Sequence, residues 1–228
     1  MDRPNFPSRP DAAVITAPVS ALATNKVLRN TYLLLAATLG FSALTAGVSL
    51  AFSLPHPGLI LTLIGYFGLL FAVHKTANSA TGLVFVFALT GFMGYTLGPI
   101  IGAYLQFVPN GHQVVMNAFA ITAISFVGLS AYAVKSGRSF SFLGGFLMVG
   151  IITAFVLGLV AFFFEMPGLS LAVSAMFVLL MGGLILWQTG EIVNGGETNY
   201  ILATVTLYVS IYNLFTSLVH LLGMAGDE

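Results

Sequence analysis

The sequence predicts an all-α integral membrane protein with seven transmembrane helices. Only 6% of its 228 residues are charged and 58% are hydrophobic, whereas a soluble domain carries about 25% charged residues. The chain contains seven long apolar stretches, and about 20 residues are enough to cross the hydrocarbon core of a bilayer. Because few polar side chains are available to cover a water-exposed body, lipid must surround most of the chain.

The distribution of basic residues predicts the orientation of the spans. When the chain is threaded seven times, all seven Lys and Arg residues fall on one side: Arg3, Arg9, Lys26 and Arg29 before the first span, Lys75 in the second connection, and Lys135 and Arg138 in the fourth. The connections on the other side contain neither Lys nor Arg. Basic residues near span ends stay in the cytoplasm during insertion. We therefore expect a cytoplasmic N-terminus and a periplasmic C-terminus.

The chain divides into a short leading segment and a membrane domain. Residues 1–29 combine four prolines with small and charged residues, a composition that cannot bury enough surface to offset the entropy of ordering. We expect a flexible cytoplasmic tail there, with a helix along the membrane surface near 20–29 as an alternative for its last part, and a transmembrane domain over 30–228. The spans are predicted at 30–54, 58–74, 79–107, 113–134, 141–164, 167–188 and 198–222. Their short connections make neighbouring spans antiparallel.

The third span contains a proline and three regularly spaced glycines: Gly94, Gly98, Pro99 and Gly102. Pro99 has no N–H, so the backbone carbonyl of Tyr95 loses its helical partner. Inside a bilayer that carbonyl needs another donor or a hydrated cavity. We predict a kink or break at 97–99, with Gly98 and Pro99 as the breaking residues. The glycines also predict close approach of another helix.

The placement of acidic and histidine residues argues against an enzyme. An intramembrane aspartyl protease needs two Asp residues inside the spans, but every Asp lies near a chain end: Asp2, Asp11 and Asp227. All four histidines are expected at loops or span ends, which disfavours a shielded Ser–His pair: His56, His74, His112 and His220. Metal-ligand spacings are missing too. We expect no catalysis and no bound cofactor, and the lack of a basic domain disfavours nucleic-acid binding.

The last span carries a polar stripe at helical spacing: Thr206, Ser210, Asn213 and Ser217. Polar groups facing lipid are costly, so this stripe should face the inside of the bundle. One interpretation is hydrogen bonding between helices, with modest energies of about 0.6 kcal/mol per contact. The alternative is the lining of a narrow hydrated path. We favour the first.

A group of polar residues lies at the predicted cytoplasmic end of the sixth span. Gln188 lies near the end of that span, and Glu191 and Glu197 belong to the connection that follows. The simpler interpretation is a solvated acidic hairpin, and the functional one is a mouth that attracts cations. His74 and Lys75 are candidates to pair with these acids and close the mouth, and His titrates near neutral pH.

Two segments resemble the signatures of the Bax inhibitor-1 family. One is Gly94-Tyr95-Thr96-Leu97-Gly98-Pro99-Ile100, and the other is Leu207-Tyr208-Val209-Ser210-Ile211-Tyr212-Asn213-Leu214-Phe215, followed by Leu221-Leu222-Gly223. The resemblance implies three antiparallel hairpins around a central C-terminal helix. Some members are pH-dependent calcium leaks gated by two aspartates. The matching positions here hold Gln188 and Ser210, which neither titrate nor supply a full charge, although they are able to hydrogen-bond to each other and close a pore.

The resemblance implies two functions. The sequence resembles a bacterial inner-membrane member that modulates the protease FtsH. The first implied function is therefore regulation of FtsH and its membrane cofactors, engaged in the manner of a substrate through the cytoplasmic tail. The residues expected to carry this engagement are Met1, Arg3, Arg9, Lys26 and Arg29. The alternative is a cation leak, with calcium as a conducted ion only, and the missing aspartates disfavour it. The oligomeric state stays open.

Overall fold

The computed structural model describes the backbone of residues 21–225 and the side chains of residues 26–224. Met1, Arg3 and Arg9 of the predicted tail therefore lie outside the described residues. Helix α1 already begins at Ala21, so the last part of the segment predicted as a flexible tail is instead continuous with the first span. Lys26 and Arg29 are exposed on the first turns of this helix.

Within residues 21–225 the chain forms seven α-helices and no strand: α1 (Ala21–Ala51), α2 (Leu59–Thr76), α3 (Ala80–Phe107), α4 (Gly111–Ser136), α5 (Leu143–Phe163), α6 (Pro167–Val193) and α7 (Tyr200–Ala225). All seven are long and apolar enough to span a membrane. The predicted fold class, an all-α protein with seven spans, is confirmed. The bilayer favours helices because a helix satisfies its own backbone hydrogen bonds.

Helix α7 lies at the centre of the bundle. In an 18-residue window of its span 56% of the residues are buried, compared with 6% in such a window of α2 and 17% in one of α5. It packs against α6, α1, α4 and α3. Chain neighbours run antiparallel, but they are not always packing partners, because α1 and α2 both pack mainly on α3. Helix α1 is thus paired with a helix that runs in its own direction.

Helix α3 packs on α1 through the predicted glycines, called here the glycine ridge (Gly94, Gly98 and Gly102). A Cβ atom at Gly98 would lie 2.6 Å from the Cβ of Ser49 and 2.8 Å from the carbonyl of Ala46. At Gly94 a Cβ would collide with the Thr45 hydroxyl and the Ser42 carbonyl. Small residues thus bring the two backbones into contact, as such residues do in membrane helix pairs.

Pro99 does not break α3, which runs as one helix from Ala80 to Phe107. The expected break at Gly98 and Pro99 is therefore wrong, and the kink, the other form of the prediction, stays a prediction. The carbonyl of Tyr95, which Pro99 leaves without a helical donor, accepts a hydrogen bond from the Ser49 hydroxyl at 2.9 Å. This bond comes from α1, at the point where Gly98 lets that helix approach.

Candidate functional site

The polar stripe predicted on α7 does not supply the expected bonds between helices. The Ser210 hydroxyl donates to the Thr206 carbonyl at 2.7 Å, and the Asn213 amide donates to the Val209 carbonyl at 2.8 Å. Both partners belong to α7 itself, so the interhelical interpretation is wrong for these two residues. Ser210 and Ser217 are buried, and Thr206 and Asn213 are half-buried.

A second stripe on α7, spaced four residues apart, makes the bonds to other helices. The Tyr208 hydroxyl donates to the Thr90 carbonyl of α3 at 3.2 Å and lies 2.6 Å from the Ser42 hydroxyl of α1. Because a tyrosine hydroxyl has one proton, Ser42 is the donor in the second bond. Tyr208 is 1% exposed, so it joins three helices inside the core.

The two ends of the second stripe extend these contacts. The Thr204 hydroxyl donates to the Tyr200 carbonyl of its own helix at 2.7 Å and lies 3.2 Å from the Thr31 carbonyl of α1. The Tyr212 hydroxyl lies 3.1 Å from the Thr96 hydroxyl of α3, which itself donates to the Met93 carbonyl. Tyr212 is therefore the donor to Thr96. The signal for this stripe was present in the sequence, since a buried tyrosine hydroxyl generally finds a partner.

Gln188 is buried but does not pair with Ser210. Only 2% of its surface is exposed, and its Nε2 atom has no hydrogen-bond partner among the described residues. Helices α6 and α7 run antiparallel and meet at the Ser174–His220 contact. Gln188 lies as many residues after Ser174 as Thr206 lies before His220, so Gln188 and Thr206 are at the same level of the pair. Ser210 lies one turn deeper and bonds to its own helix. The expected Gln188–Ser210 bond is not formed.

The residues expected to close the mouth are engaged within their own segments. The His74 Nδ1 atom donates to the Leu70 carbonyl at 2.8 Å, since a carbonyl only accepts. Glu197 accepts a hydrogen bond from the backbone N–H of Asn199 at 2.7 Å. Lys75 is exposed and Glu191 is half-exposed. Neither His74 nor Glu197 bonds across the mouth as predicted.

Asn199 joins the two connections that surround this mouth, a role that the sequence reading missed. Its Nδ2 atom donates to the Ala77 carbonyl at 3.1 Å and to the Asn78 Oδ1 atom at 2.9 Å. Its Oδ1 atom accepts the backbone N–H of Ile201 at 2.9 Å, which caps the first turn of α7. An Asn just before an apolar helix is the sequence signal for such a cap.

A Ser–His contact exists between α6 and α7, contrary to the expectation for the histidines. The Ser174 hydroxyl lies 2.8 Å from the His220 Nδ1 atom and donates to the Ser170 carbonyl at 3.1 Å. Ser174 has one proton for these two contacts, and the tautomer of His220 decides whether the histidine donates or accepts. The contact joins two helices.

The comparisons with known proteins agree with this architecture. A family model described as "Inhibitor of apoptosis-promoting Bax1" matches residues 24–227. Two Escherichia coli relatives, named Modulator of FtsH protease YccA in strain K12 and Inner membrane protein YccA in an O6:H1 strain, are each 52% identical over 92% of this chain and 94% of theirs. An uncharacterized Pseudomonas aeruginosa protein is 54% identical over 89% of this chain and 90% of its own length. The chain belongs to the Bax inhibitor-1 family.

Proposed function

We propose that the protein is a regulator of the bacterial inner membrane that engages the protease FtsH as a poorly extracted substrate. The observation that carries the proposal is the 52% identity, over nearly the full length of both chains, to a protein named as a modulator of this protease. The distribution of Lys and Arg supports an orientation in which the N-terminal segment is cytoplasmic. FtsH and its membrane cofactors are then the partners.

The anchoring of α1 supports the second part of the proposal. A protease that pulls on the N-terminal segment must first extract α1. That helix contacts the glycine ridge of α3, and it donates from Ser49 to the Tyr95 carbonyl and from Ser42 to Tyr208. Because the first helix to be pulled is bonded to both α3 and α7, extraction is slow and the protease stays occupied.

The test is removal of residues 2–20, which leaves α1 intact from Ala21. A matched control replaces the same residues with a Gly/Ser sequence of equal length. In cells that contain FtsH, we expect the truncated protein to persist longer and to lose its effect on the turnover of other membrane substrates. The Gly/Ser control separates length from sequence. Unchanged lifetime and unchanged modulation in the truncated protein would contradict the proposal.

A second candidate function is a cation leak beside α7, with calcium as the conducted ion. The observation in its favour is the buried amide of Gln188, whose Nε2 atom has no partner among the described residues and would be satisfied by a water molecule on a hydrated path. The absence of a carboxylate at Gln188 and Ser210 weakens it, since neutral groups attract cations poorly. Purified protein in liposomes should then pass calcium between pH 5 and 8, faster with Ser210→Asp. Flux equal to that of empty liposomes eliminates this candidate.

A further inference from the structure

The exposed basic residues of the bundle lie at one end, called here the basic end. Within the described residues these are Lys26, Arg29, Lys75, Lys135 and Arg138, and all five are exposed. The opposite end, as far as it is described, has no Lys or Arg. Two of the five, Lys135 and Arg138, lie close together around the connection between α4 and α5.

The α4–α5 connection is held firmly against α6. Phe140 is 7% exposed, and its ring lies over Gly190, where a Cβ would come within 2.7 Å of the Phe140 Cδ2 atom. The Asn194 Nδ2 atom donates to the Arg138 carbonyl at 3.2 Å. Gly137 has φ of +58°, a left-handed conformation that only glycine adopts without strain. The connection is thus anchored, while the side chains of Lys135 and Arg138 stay exposed.

The surroundings of these two cations combine hydroxyl groups with lipid-facing aromatic rings. Ser139 and Ser141 are exposed, with their Oγ atoms 2.9 Å apart. Phe142 and Phe146 are 76% and 69% exposed at the start of α5. The Trp187 ring lies over the same turn, with Nε1 3.3 Å from the position of a Cβ on Gly144. Indole rings favour the membrane interface.

Among the described residues, the acid on the neighbouring part of α6 does not neutralise this surface. Glu191 follows Gly190 on α6, but its carboxylate turns toward Gly196 in the α6–α7 connection. Asn194, which does contact the α4–α5 connection, is neutral and bonds through its amide. The charge of Lys135 and Arg138 is therefore directed outward, at the level where the spans end and lipid headgroups begin.

We propose that Lys135, Arg138, Ser139 and Ser141 form a binding surface for the headgroup of an anionic phospholipid from the leaflet at the basic end. The cations and hydroxyls contact the phosphate, because Lys, Arg and Ser all donate hydrogen bonds to phosphate oxygens. Phe142 and Phe146 lie against the acyl chains. Charge complementarity favours an anionic headgroup over a zwitterionic one, and the adjacent lipid-facing rings favour a lipid over a soluble phosphate.

The test measures lipid retention on the full-length protein. Purified, delipidated protein in mild detergent is mixed with equal amounts of phosphatidylglycerol and phosphatidylcholine, and bound lipid is counted by native mass spectrometry. We expect several-fold more phosphatidylglycerol than phosphatidylcholine on the unmodified protein. Lys135→Gln with Arg138→Gln should lower phosphatidylglycerol retention at least fivefold. The matched control, Arg29→Gln with Lys75→Gln, removes the same charge from the basic end and should change retention less than twofold.

Three outcomes overturn the proposal. They are equal retention of both lipids on the unmodified protein, undiminished phosphatidylglycerol retention after the Lys135 and Arg138 changes, and equal loss in the two double variants. Thermal unfolding of each variant verifies the fold. The double variant Lys135→Arg with Arg138→Lys keeps the charge and must keep the preference for phosphatidylglycerol over phosphatidylcholine. The proposal can therefore be tested even if the neutral variant folds poorly. This result is independent of any role with FtsH.

Discussion

Helices α1 and α2 have nearly the same mean hydropathy, 1.8 and 1.6, yet they pack very differently. In an 18-residue window of α1 28% of the residues are buried, compared with 6% in such a window of α2. The buried polar residues of α1 lie on one face: Thr31, Thr38, Ser42 and Ser49. Helix α2 buries only Val73. Hydropathy places both helices in the bilayer, but it does not decide which one is held by protein.

The difference shows what attracts helices in lipid. Lipid chains are as apolar as leucine, so association depends on close backbone packing and hydrogen bonds between helices. Helix α1 offers hydroxyl groups that reach Tyr208 and the Tyr95 carbonyl, and it meets the glycine ridge. Beyond its packing on α3, α2 contacts α5 through the rings of Phe67 and Phe155, with centroids 5.8 Å apart.

The largest effect is expected from Gly98→Val, with Gly68→Val as the matched change on α2. A side chain at Gly98 collides with Ser49 and the backbone of Ala46, whereas a Cβ at Gly68 has nothing within 4 Å. Overpacking of this kind costs about 3 kcal/mol, and the Gly68 change should alter stability by less than about 0.5 kcal/mol. The free energy of unfolding by SDS titration measures both. Equal losses would show that α1 is not held more tightly than α2.

The next largest effect is expected from Tyr208→Phe, which removes the bonds to Ser42 and to the Thr90 carbonyl. We expect a loss of about 1.5 kcal/mol, near the upper end measured for hydrogen bonds between membrane helices. Thr62→Ala, which removes an exposed bond within α2, is the control and should be nearly neutral. A double-mutant cycle with Ser42→Ala isolates the contact between α1 and α7. Zero coupling energy would argue that this contact does not anchor α1.

Ser49→Ala should cost about 1 kcal/mol, because it leaves the Tyr95 carbonyl without its donor. The same change on a Pro99→Ala background should cost less, since alanine restores the helical N–H to that carbonyl. Unfolding free energies of the four proteins test this. An equal effect of Ser49→Ala on both backgrounds would mean that the serine acts through packing alone.

The smallest effect is expected from Gln188→Leu. This change tests whether the buried Gln188 side chain holds α6 in place although its Nε2 atom has no hydrogen-bond partner among the described residues. The Nε2 atom of Gln188 has no hydrogen bond within the described part of the chain. Replacing an unsatisfied buried group by an apolar one of similar size is nearly neutral or stabilising. We expect the free energy of unfolding of the variant to lie within about 1 kcal/mol of that of the unmodified protein. A large loss would reveal a bond that holds α6.

The spans and the glycine ridge were predictable because they depend on local pattern. Length and hydropathy identify each helix, and Gly94, Gly98 and Gly102 repeat at the spacing of one helix face. The sequence also showed that the Tyr95 carbonyl needs a donor, but not that Ser49 supplies it. The identity of the donor depends on which helix packs beside α3. Helix α1 packs there in addition to the chain neighbour α2, although α1 does not adjoin α3 in the sequence.

The bonds of α7 were not predictable from spacing. Thr206, Ser210 and Asn213 share a helical face, and so do Thr204, Tyr208 and Tyr212. Periodicity cannot rank these faces, because serine, threonine and asparagine readily bond to their own helix. The tyrosine hydroxyl lies at the end of a long, rigid ring and cannot reach the backbone carbonyls of its own helix. It therefore bonds to a neighbouring helix. The chemistry of the side chain, rather than its period, identified the anchoring face.

If the protein is pulled by its N-terminal segment, as proposed above, the length of α1 sets the direction of the load. Its 31 residues extend about 46 Å, longer than a hydrocarbon core of about 30 Å. Thr31, beside Thr204 near the start of α7, lies well inside α1, and Val27 and Leu28, which precede it, also pack against the core. Tension applied at Ala21 would act along the axis of α1, so it would slide α1 past α3 and α7 rather than lift it away from them. The contacts with α3 and α7 then yield together, not one after another.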